Sequence, residues 1–477
     1  MKVVVEGCCH GELDQIYDVI GQLQEREGVT VDLLICCGDF QAVRDRTDLD
    51  SMAVPLKYRE MGSFYKYYSG EKTAPVLTIF IGGNHEASNH LWELSYGGWV
   101  APRIFYLGRA GVVRCGGLRI AGLSGIYKEG DYRKGTFERP SFSEGTKRSV
   151  YHVRSCDVFR LKQISGHVDI GLSHDWPLGI YHHGNKAQLL RKKPYFAEEM
   201  EAESLGSPAA MELLQHLSPD YWFSAHLHVK FAAVYHHDDG DESGVRITKF
   251  LALDKCLPGR RYLQVLDIDT PSPPPYKLCY DAEWLAILRS TEHLMSYSRL
   301  LWLPPHPSTD SRLSYTPTSE EVDEVKTLFH GNLVIPDNFT SQQHNSSLPE
   351  NRQTAVFCAT LGISNPFSTN FSSTRMSLGS PGNSLCGNIS SAEVSLNPDE
   401  IDLGDDSDEN EEEEPGRHGD TSELTKEISA APNTSTPDRK RYPGLMKTHQ
   451  AKSKTSLVPV KRVHQLSSWT TNRTKCR

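Results

Sequence analysis

Short, unbroken apolar runs recur along the first half of the chain, and each ends in a small polar cluster. "KVVVEGCC" predicts a strand running into a loop, and "GELDQIYDVIGQLQEREG" has the periodicity of an amphipathic helix closed by Gly28. "VDLLICCGDF" predicts a second buried strand, followed by a polar loop and a Tyr-rich helical region from Phe64 to Tyr68. The theme returns in "APVLTIFIGGNHE", "GLRIAGLSG", "VDIGLSHDW" and "YWFSAHLH", and "RYLQVLDID" reads as a last strand of the same layer. Strands that are apolar throughout belong to sheets buried on both faces, hence an α/β fold, and such folds build their sites where strands end.

"TPSPPPYK", Thr270 to Lys277, is a proline-rich boundary. Beyond it "DAEWLAILRSTEHLMSY" predicts a helix, and "TSEEVDEVKTLF" opens with a capping-box pattern, Thr318 followed by Glu321. Together they predict a small helical appendage packed on the first domain. From about Gly331 the apolar clusters give way to Ser, Asn, Thr and Pro, and the expectation is disorder. The 477 residues thus divide into an α/β domain (1–269), a small C-terminal module (270–335) and a disordered tail (336–477), acidic and then basic. A hydrophobic content of 38% is low for a fully folded chain and fits that division.

Met1-Lys2 leads straight into Val3-Val4-Val5-Glu6, too short a run for a signal-peptide core, and no apolar stretch approaches the roughly 18 residues of a membrane helix. The expectation is a soluble intracellular protein with no membrane partner. The eleven cysteines include the adjacent pairs Cys8-Cys9 and Cys36-Cys37 and no Cys-x-x-Cys. Neighbours on a strand face opposite sides, so one of each pair can be core and the other functional. An odd count fits a reducing compartment and makes a disulfide the poorest reading of Cys8. The formal net charge of −10 is uneven: Asp399 to Glu414 holds eleven acids and no bases, Thr436 to Arg477 eleven Lys or Arg and one acid. Any nucleic acid must therefore be held by a local basic surface and not by the field of the whole molecule.

The strand-end clusters supply Cys8 and His10 ("CCH"), Asp39 ("GDF"), Asn84 and His85 ("GNHE"), His174 ("SHDW"), and His226 and His228 ("SAHLH"). Each alone is commonplace, since a lone His is more often a satisfied structural residue than a ligand. Five strand ends in series supply enough N, O and S donors for two metal ions. The series resembles the calcineurin-like metallophosphoesterases, whose pattern runs Asp-x-His, Gly-Asp, Gly-Asn-His-Glu/Asp, His, Gly-His-x-His, and the match covers residues 1 to about 230. Cys8 stands in place of the first Asp, and Ala225 in place of the last Gly. "GCCHG", "CCGDFQAVR", "IGGNHEASNHL", "YGGWVAP" and "GDYRKG" are similar to one branch, the RNA lariat debranching enzymes, where Cys at the first position is the hallmark.

That resemblance implies a metallophosphoesterase-type two-sheet β-sandwich flanked by helices, with 1–269 as catalytic domain and 270–335 as a debranching-family module. It implies that Cys8, His10, Asp39 and His228 hold one metal and Asp39, Asn84, His174 and His226 the other, Asp39 bridging. A thiolate is softer than a carboxylate and biases its pocket away from magnesium, so Fe²⁺ and Zn²⁺ are expected, with Mn²⁺ able to substitute. The alternative leaves Cys8 as packing beside a single metal. His85 is implied to face the substrate and protonate a departing 2′-oxygen, helped by Glu86 or Asp175 if either is within reach.

Ser124 to Arg154 carries seven Lys or Arg among five aromatics, including Tyr127, Lys128, Tyr132, Arg133, Lys134, Tyr151 and Arg154. Basic groups beside rings suit unpaired RNA, while four acids in the same stretch argue against a purely electrostatic role. The resemblance makes this segment a lariat-recognition loop. "YHHGNKAQLLRKKPYF" reads either as a second lining of the cleft or as a solvated helix face. The activity that the resemblance implies is hydrolysis of the 2′–5′ bond at the branch of intron lariat RNA, and the expectation is a nuclear protein that recruits spliceosome-associated proteins through its tail. The basic "DRKRYPG" region reads as a nuclear-import signal or a nonspecific RNA-binding arm. The rivals are another dinuclear phosphatase or nuclease, and a non-catalytic RNA-binding scaffold. A scaffold would have lost ligands, and every expected position here carries a competent donor.

Overall fold

The computed structural model describes residues 1–237, 246–341 and 351–366. In chain order its strands begin with β1 (Lys2–Glu6), β2 (Leu33–Cys36), β3 (Leu77–Phe80), β4 (Gly98–Ala101), β5 (Ile104–Tyr106), β6 (Ala110–Cys115) and β7 (Leu118–Leu123). They continue with β8 (Ile170–Ser173), β9 (Tyr221–Ser224), β10 (Phe231–His237), β11 (Arg246–Ala252), β12 (Leu263–Asp267) and β13 (Leu278–Tyr280). Two sheets result, in the orders β12-β1-β2-β3-β5-β4 and β10-β11-β9-β8-β7-β6-β13. In the first, β1, β2, β3 and β5 run parallel between antiparallel edges. In the second, β7, β8, β9 and β11 run parallel.

Side-chain alternation sets the layers. Val3, Val5, Leu33, Ile35 and Ile79 face the space between the sheets and meet Ile120, Ile170, Leu172 and Phe223 there. Val4, Leu34 and Phe80 face outward and pack beneath the helix Leu13–Glu27 through Leu13, Ile16, Tyr17 and Ile20. The outer face of the second sheet, with Trp222 and Phe250, is covered by helices contributing Leu213, Leu214, Trp284 and Leu285. This is a sandwich with helices on both outer faces, as continuous apolar strands require. The adjacent cysteines split the same way: Cys8 and Cys37 join the core between the sheets, Cys9 and Cys36 the outer one.

The residues after 270 share this body. β13 extends the second sheet beside β6, and the helix Ala282–Ser290 sinks Trp284, Leu285, Ile287 and Leu288 into its outer core. The helix Ser319–Leu328 opens on the capping box of Thr318 and Glu321 read from the sequence. A further helix, Arg352–Leu361, corrects the expectation of disorder from residue 336. Asn351 caps it, Thr354, Cys358 and Leu361 bury one face, and Gly362 ends it in a left-handed conformation. The Gln353 amide accepts from Trp99 N–H at 2.9 Å and donates to Trp99 C=O at 2.8 Å, satisfying the edge strand β4. The rest of the expected tail, with its acidic and basic blocks, lies outside the described residues. Among the described residues no helix is long and apolar enough to cross a membrane.

Candidate metal centre

Five strands deliver the candidate ligands at their carboxyl ends. Cys8 and His10 follow β1, Asp39 follows β2, Asn84 and His85 follow β3, His174 follows β8, and His226 and His228 follow β9. The loops are tight enough to force ordinary residues into the left-handed region: His10 (φ 46°), Asp39 (46°), Gln41 (57°), His226 (63°) and His228 (47°). Such strain costs roughly 1–3 kcal/mol per residue, and its concentration in one cleft marks a functional site. Side chains are excluded where the loops press together. A Cβ on Gly83 would lie 2.2 Å from Asp39 Oδ1.

The geometry falls into two halves joined by one carboxylate. Ligand atoms of Cys8, His10, Asp39 and His228 all lie within 4.8 Å of one another. His10 Nε2 is 3.3 Å from His228 Nε2 and 3.7 Å from Asp39 Oδ2. On the other side, His174 Nε2 lies 3.2 Å from Asp39 Oδ1 and 3.2 Å from Asn84 Oδ1, and the His226 ring centroid is 5.0 Å from that of His174. The two oxygens of the buried Asp39 thus face different halves.

Electrostatics tests whether this donor set suits cations. Burial drives His10 down to about 3 and His228 well below its ordinary value, so two unprotonated imidazoles face each other at 3.3 Å. Around Asp39, burial is outweighed by His174 and His85, which hold its carboxyl well below the usual range. His174 differs from the other rings: burial lowers it, but Asp39 lifts it to about 9, and its Nδ1–H donates to Cys37 C=O at 2.8 Å. That bond fixes the tautomer and directs Nε2 at two oxygens, where a proton holds the place a cation would take. Burial, then Asp39 and Glu6, keep the Cys8 thiol protonated, opposed by the His226 N–H 3.2 Å from Sγ. A dication held beside the sulfur would reverse that balance and favour the thiolate. The residues fit two divalent ions sharing Asp39.

Three residues inside the quoted stretches, Glu86, Asp175 and Gln41, support the ligands through contacts that the sequence did not reveal. Glu86 accepts the backbone N–H groups of Phe40, Gly83 and Gln41 at 2.8–2.9 Å and so staples the loop after β2 to the loop after β3. Burial, with Asp39 near, pushes its carboxyl up to about 8. Asp175 accepts from Tyr127 N–H at 2.7 Å and faces His226 Nε2 at 3.5 Å. Glu86 and Asp175, the two carboxylates expected to aid His85 if within reach, are thus both engaged by other groups. His85 donates its backbone N–H to Asp39 Oδ1 at 2.8 Å and sets its half-buried ring edge-on to His10, 5.2 Å between centroids. Gln41, the third, places its amide 3.2 Å from His10 Nδ1.

The segment Ser124 to Arg154 begins beside this centre, Gly125 donating to Gly82 C=O at 2.8 Å. Tyr127, Lys128 and Tyr151 are half-buried and Arg133 is exposed. Tyr151 lines a cleft with Gly82, Gly83 and His152. Tyr132 packs on Tyr127 and the core, and Lys134 pairs with Asp131 at 2.7 Å. Arg154 is wholly buried, bound to Glu138 at 2.5 Å and to the carbonyls of Asp131 and Ser149. Its expected contact with substrate is thereby corrected: a guanidinium consumed inside the loop holds the loop together. In the second basic–aromatic stretch, Tyr181, Leu189 and Phe196 are core while Arg191 and Lys192 are exposed.

Comparison with known proteins gives a family for both halves. Residues 1–230 match the calcineurin-like phosphoesterase family, and 245–366 match the C-terminal domain of the lariat debranching enzymes. The lariat debranching enzyme A of Xenopus laevis is 49% identical over 458 residues, covering 90% of this chain and 86% of that one. The lariat debranching enzyme of Homo sapiens is 52% identical over 377 residues (76% and 69%), and that of Danio rerio 52% over 375 (76% and 66%). The match spans about two thirds of the length of the Danio rerio relative.

Proposed function

The chain belongs to the lariat debranching enzymes, and on that premise we propose that it hydrolyses the 2′–5′ phosphodiester at the branch point of intron lariat RNA, giving linear intron. The observation that carries this reading is the Cys8, His10, Asp39 and His228 cluster, with Asp39 turning its other oxygen toward His174. Two bound cations would supply Lewis-acid charge and an activated water. In this scheme Cys8, His10 and His228 hold one, Asn84, His174 and His226 hold the other, and Asp39 serves both. The sulfur donor favours Fe²⁺ and Zn²⁺ over Mg²⁺, with Mn²⁺ as a substitute.

His85 acts from the rim. Its backbone is anchored to the shared carboxylate, and its half-buried ring stays within reach of a ligand in the cleft. It donates a proton to the departing 2′-oxygen. Tyr127, Tyr151, Lys128 and Arg133 offer stacking faces and cations to the RNA around the branch. The basic block after Thr436 serves nuclear import, and the tail is the attachment for spliceosome-associated proteins.

The test supplies purified protein in turn with Fe²⁺, Zn²⁺ and Mn²⁺ and compares a short branched RNA with a linear 3′–5′ RNA of the same composition. Cleavage confined to the branch supports the reading and ranks the metals. Cleavage of both withdraws the lariat assignment and leaves a two-metal phosphodiesterase. Branched RNA bound but never cut makes the protein a scaffold.

A further inference from the structure

Asp175 stands between two things that sequence keeps apart, a metal-site histidine and the start of the long loop. One carboxylate oxygen accepts from Tyr127 N–H at 2.7 Å, and the other faces His226 Nε2 at 3.5 Å. Its backbone carbonyl is pinned by Ser173 Oγ at 2.6 Å and Ser224 Oγ at 3.1 Å, from the ends of β8 and β9. A carboxylate facing Nε2 favours the tautomer protonated there and leaves Nδ1 as the lone pair for a cation.

The polar chain continues into the loop. Ile126, just before Tyr127, exchanges backbone bonds with Tyr151 and Val153, which brings His152 alongside. His152 Nδ1 lies 2.7 Å from Asp131 Oδ2, Asp131 pairs with Lys134, and the Asp131 carbonyl accepts from the buried Arg154. A loop lifted from the cleft would withdraw Tyr127 N–H and leave Asp175 free to swing, with His226 losing its orienting group.

We propose that Asp175 is a positioning residue that couples seating of the Ser124 to Arg154 loop to the orientation of His226. The metal centre is thereby completed when the loop lies over bound RNA. This rests on the debranching reading for its substrate, and on geometry alone for the coupling.

The experiment uses the full chain with Asp175→Asn, Tyr127→Pro and both together. Proline removes the N–H that Asp175 receives and touches no candidate metal ligand; because it also removes a ring offered to RNA, its losses are read against Tyr127→Ala, which keeps the N–H. Each protein is assayed on branched RNA, and its Co²⁺-substituted form is examined by visible absorption. The expected result is a loss of branched-RNA turnover on the order of 10–100-fold for each single variant, with the double variant no worse than the poorer single. The Co²⁺ spectrum of Tyr127→Pro should shift although Tyr127 lies outside the ligand set. Multiplicative losses, or an unshifted Tyr127→Pro spectrum, overturn the coupling. If wild-type protein fails on branched RNA but cleaves a small phosphodiester, the substrate reading falls, and the spectra alone decide the coupling.

Discussion

Two kinds of loop meet at the cleft, and they are held in opposite ways. The short loops after β1, β2, β3, β8 and β9 are fixed by strained backbone and by close packing that excludes even a Cβ at Gly83. The long loop has a polar interior of its own, built on Arg154 with Glu138 and on Asp131 with His152. It is also braced from outside: Gly135 and Thr136 donate to the carbonyls of Ser298 and Ser296, and Trp302 donates to that of Arg133. The short loops hold the donor atoms in a fixed arrangement, as metal ligation demands. The long loop instead presents half-buried rings and basic groups, Arg133 exposed among them, beside the cleft.

The sharpest way to break this division is at the shared carboxylate. Asp39→Ala takes a donor from both halves at once, and turnover should fall roughly 10⁴-fold or more together with metal content measured by atomic absorption. A variant that kept both ions would remove the bridging role. His85→Ala sits at the boundary between the two regions. It should cost on the order of 10²–10⁴ in turnover with metal content unchanged, and a parallel loss of metal would make His85 part of the rigid centre.

The long loop answers to a different change. Arg154→Ala leaves Glu138 buried and uncompensated, a loss of about 3–5 kcal/mol if the pair stays buried. Limited proteolysis should then cut between residues 124 and 154, while hydrolysis of a small phosphodiester persists. Adding Glu138→Ala should recover part of the stability. If Arg154→Ala spared the loop and lowered only RNA affinity, Arg154 would be a substrate contact after all.

What could be read from the sequence follows the same line. The donors after the five strands were legible because each sits within a few residues of the apolar run that places it, and the capping box of Thr318 and Glu321 is equally local. Arg154 was illegible because its partner Glu138 becomes a partner only once the loop folds back on itself. The helix Arg352–Leu361 was missed for a related reason. Its buried face holds just Thr354, Cys358 and Leu361, and its Gln353 answers a strand edge more than 250 residues earlier. Glu86 lay in plain view within "GNHE", but its three backbone donors come from two loops that only the fold brings together.

The smallest effect expected lies just below the rigid loops, at Glu6, the last residue of β1. It is fully buried, and neither carboxyl oxygen makes a hydrogen bond of good geometry, although the Cys36 thiol lies beside it. Burial pushes its carboxyl well above the usual range, Cys36 opposes this, and Asp39 adds to it. A raised folded-state pKa means the folded chain holds a proton that the unfolded chain releases near pH 4.3. The stability linked to that proton is complete below about pH 4.3 and is lost as pH rises toward the folded value. Glu6→Met keeps the bulk and removes the titration, so the stability of the variant relative to wild type should rise from about pH 4 to about pH 8. Urea denaturation across that range, with chelator in both samples so that metal binding adds no pH dependence of its own, measures the difference. A variant uniformly less stable than wild type would mean that Glu6 is paired in solution, and that the strain of the site stops at the loops themselves.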